Sequence, residues 1–138
     1  MNATMPTTTG TPATQLVTHN LLDSITAFVA EGTVFRGDFS AQPGFKVGIK
    51  IDGVVEGSIS IPEGGVIHIG PTGRVVGPLI EADHIYVEGN VEGKTVGRVG
   101  VEFSASSWVK GTVEYKGALN IHNLAKVRAS VSYAGADE

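Results

Sequence analysis

The chain has 138 residues, a net charge of −4, 41% hydrophobic and 17% charged residues, nineteen glycines and no cysteine. That length suits one domain with a real core. The missing cysteine excludes a disulfide framework and thiolate metal sites, and Lys and Arg are scattered rather than gathered into the basic stripe of a nucleic-acid binder. No run of about 18 apolar residues is present, so no transmembrane helix is expected. No basic residue precedes Arg36, so a signal peptide is not expected either, and the expected location is the cytoplasm.

Residues 1–15 form a polar tail in which Thr7, Thr8, Thr9, Gly10 and Pro12 offer nothing to pack, so disorder is expected. Residues 16–31 differ. Leu21, Leu22, Ile25, Phe28 and Val29 fall at i, i+1, i+4, i+7 and i+8, which predicts one apolar stripe on a short amphipathic helix. Three roles are open to this segment: capping the domain that follows, lying shallowly in a membrane, or docking on a partner. Asp23 and Glu31 are its only charges, unlike the basic polar face usual for interfacial helices.

From residue 32 to 133 the sequence repeats. Gly37, Gly57, Gly77, Gly93, Gly111 and Ala129 recur at separations of 20, 20, 16, 18 and 18 residues. Two positions earlier stand Phe35, Val55, Val75, Val91, Val109 and Val127. Two positions later stand Phe39, Ile59, Leu79, Thr95, Val113 and Val131. Charged residues such as Arg36, Glu56, Glu92, Lys110 and Arg128 lie between, so the flanks of each glycine alternate with strand periodicity. A second alternating segment follows in each repeat: Val47-Ile49-Ile51, Ile67-Ile69, Ile85-Val87, Val99-Val101-Phe103 and Leu119-Ile121. Residues 134–138 are a short C-terminal tail.

Frequent glycine and the loss of helical period exclude helical repeats, and a propeller blade needs about 40 residues. What fits is an all-β domain: one parallel β-helix of about six coils around a triangular core, flanked by flexible termini. Strands in register on neighbouring coils lie ~4.8 Å apart, which gives a rod about 29 Å long. A left-handed β-helix keeps strict six-residue units. Ile69, Val75 and Glu81 break them, so the right-handed form is expected.

The unit I-D-G-V-V-E-G-S-I at residues 51–59 is echoed by V-E-G-N-V-E-G-K-T at 87–95. G-P-T-G-R-V-V-G at 70–77 is followed by E-A-D-H-I-Y-V-E-G at 81–89. In these repeats the chain resembles the bactofilin family over about residues 32–133. The resemblance implies a bacterial cytoskeletal scaffold that assembles without nucleotide into filaments through the ends of its β-helix. It also implies contact with the inner face of the cytoplasmic membrane through the N-terminal segment, and recruitment of cell-wall enzymes or other envelope proteins that set cell shape. No cofactor and no catalysis are implied.

A solenoid leaves backbone groups and core open at both ends unless caps cover them. The candidate polymerisation residues are therefore Phe35 and Phe39 in the first coil, and Val127, Val131 and Tyr133 in the last. Like ends meeting in alternation give a non-polar filament. The rival from the enzyme class is a left-handed β-helix trimer, acyltransferase or carbonic-anhydrase-like, and a third reading is a monomeric β-helical adhesin or binding module. His19, His68, His84 and His122 form no column, and His68 and His122 fall on outward positions. Gly89-x-x-x-Gly93-Lys94-Thr95 is one residue short of a phosphate loop, and its glycines already belong to the repeat. Asp52, Glu56, Glu81, Asp83, Glu88, Glu92, Glu102 and Glu114 read as a solvated face rather than acid–base pairs. Alternation places Trp108 on the outer face.

Overall fold

The structure is a computed structural model in which residues 25–134 are described. Alternating inward apolar and outward polar side chains make short strands, and glycine-rich corners turn each strand into the next. The result is a β-solenoid of six coils with a three-sided core. Its strands are β1 (Ile25–Val29), β2 (Val34–Arg36), β3 (Phe39–Ser40), β4 (Gly48–Ile51), β5 (Val54–Glu56), β6 (Ile59–Ser60), β7 (Val66–Ile69), β8 (Arg74–Val87), β9 (Asn90–Phe103), β10 (Trp108–Tyr115), β11 (Ala118–Ile121) and β12 (Lys126–Tyr133).

Every pairing is parallel. One side stacks β1, β4 and β7 on the ends of β8 and β9 and then on β11. A second stacks β2 and β5 on the starts of β8, β9, β10 and β12. The third stacks β3 and β6 on the middle and later parts of those same long strands. The expected columns are real: Val75 pairs with Val91, Val91 with Val109 and Val109 with Val127, while Gly77, Gly93, Gly111 and Ala129 lie in one register. At the internal coils this corner has no room for a side chain, and only the last coil carries one, Ala129. A Cβ on Gly93, where φ is +137°, would stand 1.8 Å from the Gly77 carbonyl oxygen.

Four expectations are corrected. The amphipathic helix is absent over Ile25–Val29, because that segment is strand β1. Ile25 and Ala27 are half-buried and Val29 is buried, while Phe28 points outward. A helix this short is marginal by itself, whereas pairing with β4 satisfies its backbone and covers Ile49 and Ile51. The solenoid thus starts earlier than residue 32. Leu21 and Leu22, like residues 1–15, lie outside the described residues.

Secondly, Ile80 and not Leu79 occupies the inward column, paired with Ile59 and Thr95. The register slips between Gly77 and Ile80, which absorbs the unequal 20- and 16-residue repeats. Thirdly, Val99 is exposed: a second slip opposite Asp83 pushes Arg98 and Val99 out of the ladder. Fourthly, His68, Asp83 and Glu102 point outward as expected but are buried, because long neighbours on adjacent coils cover them.

Candidate assembly ends

The inward columns show what each end lacks. Val55, Val75, Val91 and Val109 are at most 1% exposed, yet their column begins at half-buried Phe35 and ends at half-buried Val127. The next column runs from half-buried Phe39 through Ile59, Ile80, Thr95 and Val113, all 0% exposed, to Val131 at 40%. A third runs from Val29 through Ile51, Ile69, Val87 and Phe103 to Ile121 at 38%. The same side-chain position is therefore dry inside the rod and exposed at Ile121 and Val131 on the last coil, while at the first coil Phe35 and Phe39 are half-buried and Val29 stays buried.

Backbone edges match the side chains. Among the described residues β1, β2 and β3 each pair on one side only, with β4, β5 and β6. β11 and β12 likewise pair only with β9 and β10. Each edge offers alternating donors and acceptors to another strand. Tyr133 is 54% exposed and packs its ring on Tyr115, with centroids 5.4 Å apart, so it projects as the last member of a short aromatic stack.

The sequence-derived candidates Phe35 and Phe39 lie together at one end, and Val127, Val131 and Tyr133 at the other. Ile121 and Leu124, both exposed on the last coil, are further candidates that the sequence reading did not name. Ile121 was legible as the end of the column that carries Phe103.

The sides are held by coil-to-coil polar pairs. Arg36 reaches Glu56 at 2.8 Å, Arg74 reaches Glu92 at 3.1 Å and Lys94 reaches Glu114 at 3.4 Å, while Lys50 reaches Asp52 on its own coil at 3.6 Å. Such exposed pairs contribute about 0–1 kcal/mol each, so they fix register more than stability. Arg98 is more enclosed. It binds Asp83 at 2.8 Å and Glu81 at 3.2 Å and also donates to the Ile61 carbonyl. Burial raises the Asp83 carboxyl, but the Gly64 amide, Arg98 and His84 outweigh it and hold the group below the usual aspartate value. Burial pushes the His84 imidazole down.

His68 stacks on Tyr86 with centroids 4.9 Å apart and donates to Glu88 at 2.8 Å. That hydrogen bond is the main cause holding Glu88 below the usual glutamate value. Burial and the neighbouring Glu88 and Glu102 push the Tyr86 phenol up to about 12. His19 lies outside the described residues, and no cluster of three or more metal-ligand side chains occurs among the described ones. Thr95 is wholly buried and Lys94 holds Glu114, so the phosphate-loop look-alike serves the ladder.

The sequence pattern of the bactofilin family, described as polymer-forming cytoskeletal, matches residues 27–132. Among solved structures the chain is similar to the crystal structure of a phenylalanine-to-arginine mutant of bactofilin from Thermus thermophilus. The two are 28% identical with a TM-score of 0.60, over 70% of this chain and 98% of that one. None of the curated proteins matches the chain. A parallel solenoid of six coils, matched over most of its length by that pattern, leads to one identification: the chain belongs to the bactofilin family of polymer-forming cytoskeletal proteins.

Proposed function

We propose that this chain is a scaffold that polymerises without nucleotide, through like-end contacts of its terminal coils, into non-polar filaments. These filaments organise cell-envelope or cell-shape machinery at the inner face of the cytoplasmic membrane. The observation that carries the assembly reading is the exposure gradient: columns dry at every internal coil are open at Ile121 and Val131 and only half covered at Phe39. Adding a coil from a second copy buries apolar side chains and pairs free strand edges in one step. No phosphate-binding loop is part of that chemistry. The membrane reading draws support from Phe28, 70% exposed on the outer face of β1 at the N-terminal edge. Ile25 and Val29, by contrast, face the core. The trimeric-enzyme reading gains no support, since the outward carboxylates on adjacent coils are largely engaged with Arg and Lys.

The test is Val131→Asp. Because Val131 is already part-exposed, the monomer should keep its fold, with stability changed by no more than about 0.5 kcal/mol. A carboxylate forced into an apolar seam costs far more, so electron microscopy without nucleotide should show filaments for the parent chain and none for the variant. Filaments of normal length from a folded variant would overturn end-to-end assembly.

A further inference from the structure

We propose that the outer face of β10 and β12 is a docking site for an acidic peptide segment of a partner protein. On this side of the rod two outward columns run from coil to coil. One is Val34, Val54, Arg74, Asn90, Trp108 and Lys126. The other is Arg36, Glu56, Val76, Glu92, Lys110 and Arg128. In the first four coils the charges neutralise each other across coils, Arg36 with Glu56 and Arg74 with Glu92.

In the last two coils that pattern fails. Lys110 pairs in register with Arg128, and Lys126 stands beside it in the neighbouring column. Like charges at directly opposed strand positions are destabilising. None of the three meets a carboxylate among the described residues. Among the described residues from Trp108 to Ala134 there are four cations (Lys110, Lys116, Lys126, Arg128) and one carboxylate, Glu114; the acids Asp137 and Glu138 follow in the sequence, outside the described residues. Glu114 is already engaged with Lys94.

An indole sits in the middle of this charge. Trp108 is 45% exposed, and the Lys126 ammonium lies 5.5 Å from its ring centroid. A groove of about 340 Å³ runs beside it, lined by Asn90, Glu92, Trp108, Lys110 and Arg128. The unbalanced cations call for an anionic occupant, and the indole and groove call for side chains to stack and insert. Glu92 selects between anionic surfaces. Its carboxylate lines the same groove, where an anionic lipid layer would meet it with like charge. A peptide can set its own backbone N–H groups against Glu92 while its carboxylates reach Lys110, Lys126 and Arg128.

Trp108 is the only tryptophan in the chain, so its emission reports on the site directly. Capped hexaglutamate titrated into the full chain should change that emission saturably, and rising salt should reverse the change. Arg128→Glu and Lys110→Glu should each weaken binding at least tenfold with the circular dichroism unchanged. Lys46→Glu, a control at the other end of the rod, should bind as the parent does. Three results would overturn the proposal: no response to the peptide, equal weakening by Lys46→Glu, or a response to phosphatidylglycerol vesicles without one to hexaglutamate. The last would make this face a membrane contact.

Discussion

Thr95 stands in a column of Ile59, Ile80 and Val113, and it is as dry as they are. Its hydroxyl finds no hydrogen-bond partner, and an unpaired buried hydroxyl costs about 1–3 kcal/mol. Thr95→Val keeps the shape and removes that cost, so the variant should be more stable by about 1–3 kcal/mol, seen as a raised midpoint with unchanged slope in urea unfolding. Asp83 sets the opposite dependence. Its folded carboxyl titrates below the ordinary aspartate value, so it stabilises the fold above that value, and the stabilisation is lost as pH falls toward the folded one. Between about pH 5 and pH 3 the parent should therefore lose stability faster than Asp83→Asn, measured as midpoint against pH. Neither role was legible in the sequence. Thr95 stood out as the one polar member of its columns, but whether its hydroxyl finds a partner depends on neighbours brought in from other coils. Asp83 reads as a surface acid until the register slip turns Arg98 over it.

Strand β1 shows how one set of residues can satisfy two periods. Leu21, Leu22, Ile25, Phe28 and Val29 fit a helical stripe, but Ile25, Ala27 and Val29 also alternate, and alanine adds little to a hydrophobicity pattern. The open edge of β4 decides between them, and no local property of the sequence reports that edge. Truncation separates the two roles assigned to this region. Removing residues 1–24 should leave the fold intact and, if the N-terminal segment contacts lipid, reduce pelleting with vesicles. Removing residues 1–31 should cost about 2–4 kcal/mol more, since it uncovers Ile49 and Ile51. Equal stability of the two truncations by urea unfolding would show that β1 adds nothing to the core.

At the scale of the whole rod, the glycine corner and the valine column carry most of the readable signal. Gly57, Gly77, Gly93 and Gly111 recur because a carbonyl of the preceding coil sits under each of these corners, so the coil beneath requires glycine there in addition to the positive φ at Gly57, Gly93 and Gly111. What blurred the signal is irregular coil length. The slips at Gly77–Ile80 and Ala82–His84 moved Leu79 and Val99 out of the columns their spacing implied. The first and last members of the columns, the candidate assembly residues, were legible for the same reason as the core, since a column that repeats must begin and end.

All coils wind in one sense, which is why every described strand pair is parallel. Turning a second rod over, so that like end meets like end, reverses its winding as seen from the first. The strands facing each other across that seam then run antiparallel, with the alternating close and wide hydrogen-bond spacing of such pairs. Head-to-tail stacking would keep them parallel. Filament polarity is thus written into the vibrational coupling of a few carbonyls. A heavy-isotope carbonyl in β12 should give the amide I splitting of an antiparallel pair in filaments and lose it in the Val131→Asp monomer. A purely parallel spectrum in filaments would mean that the polymer has a direction.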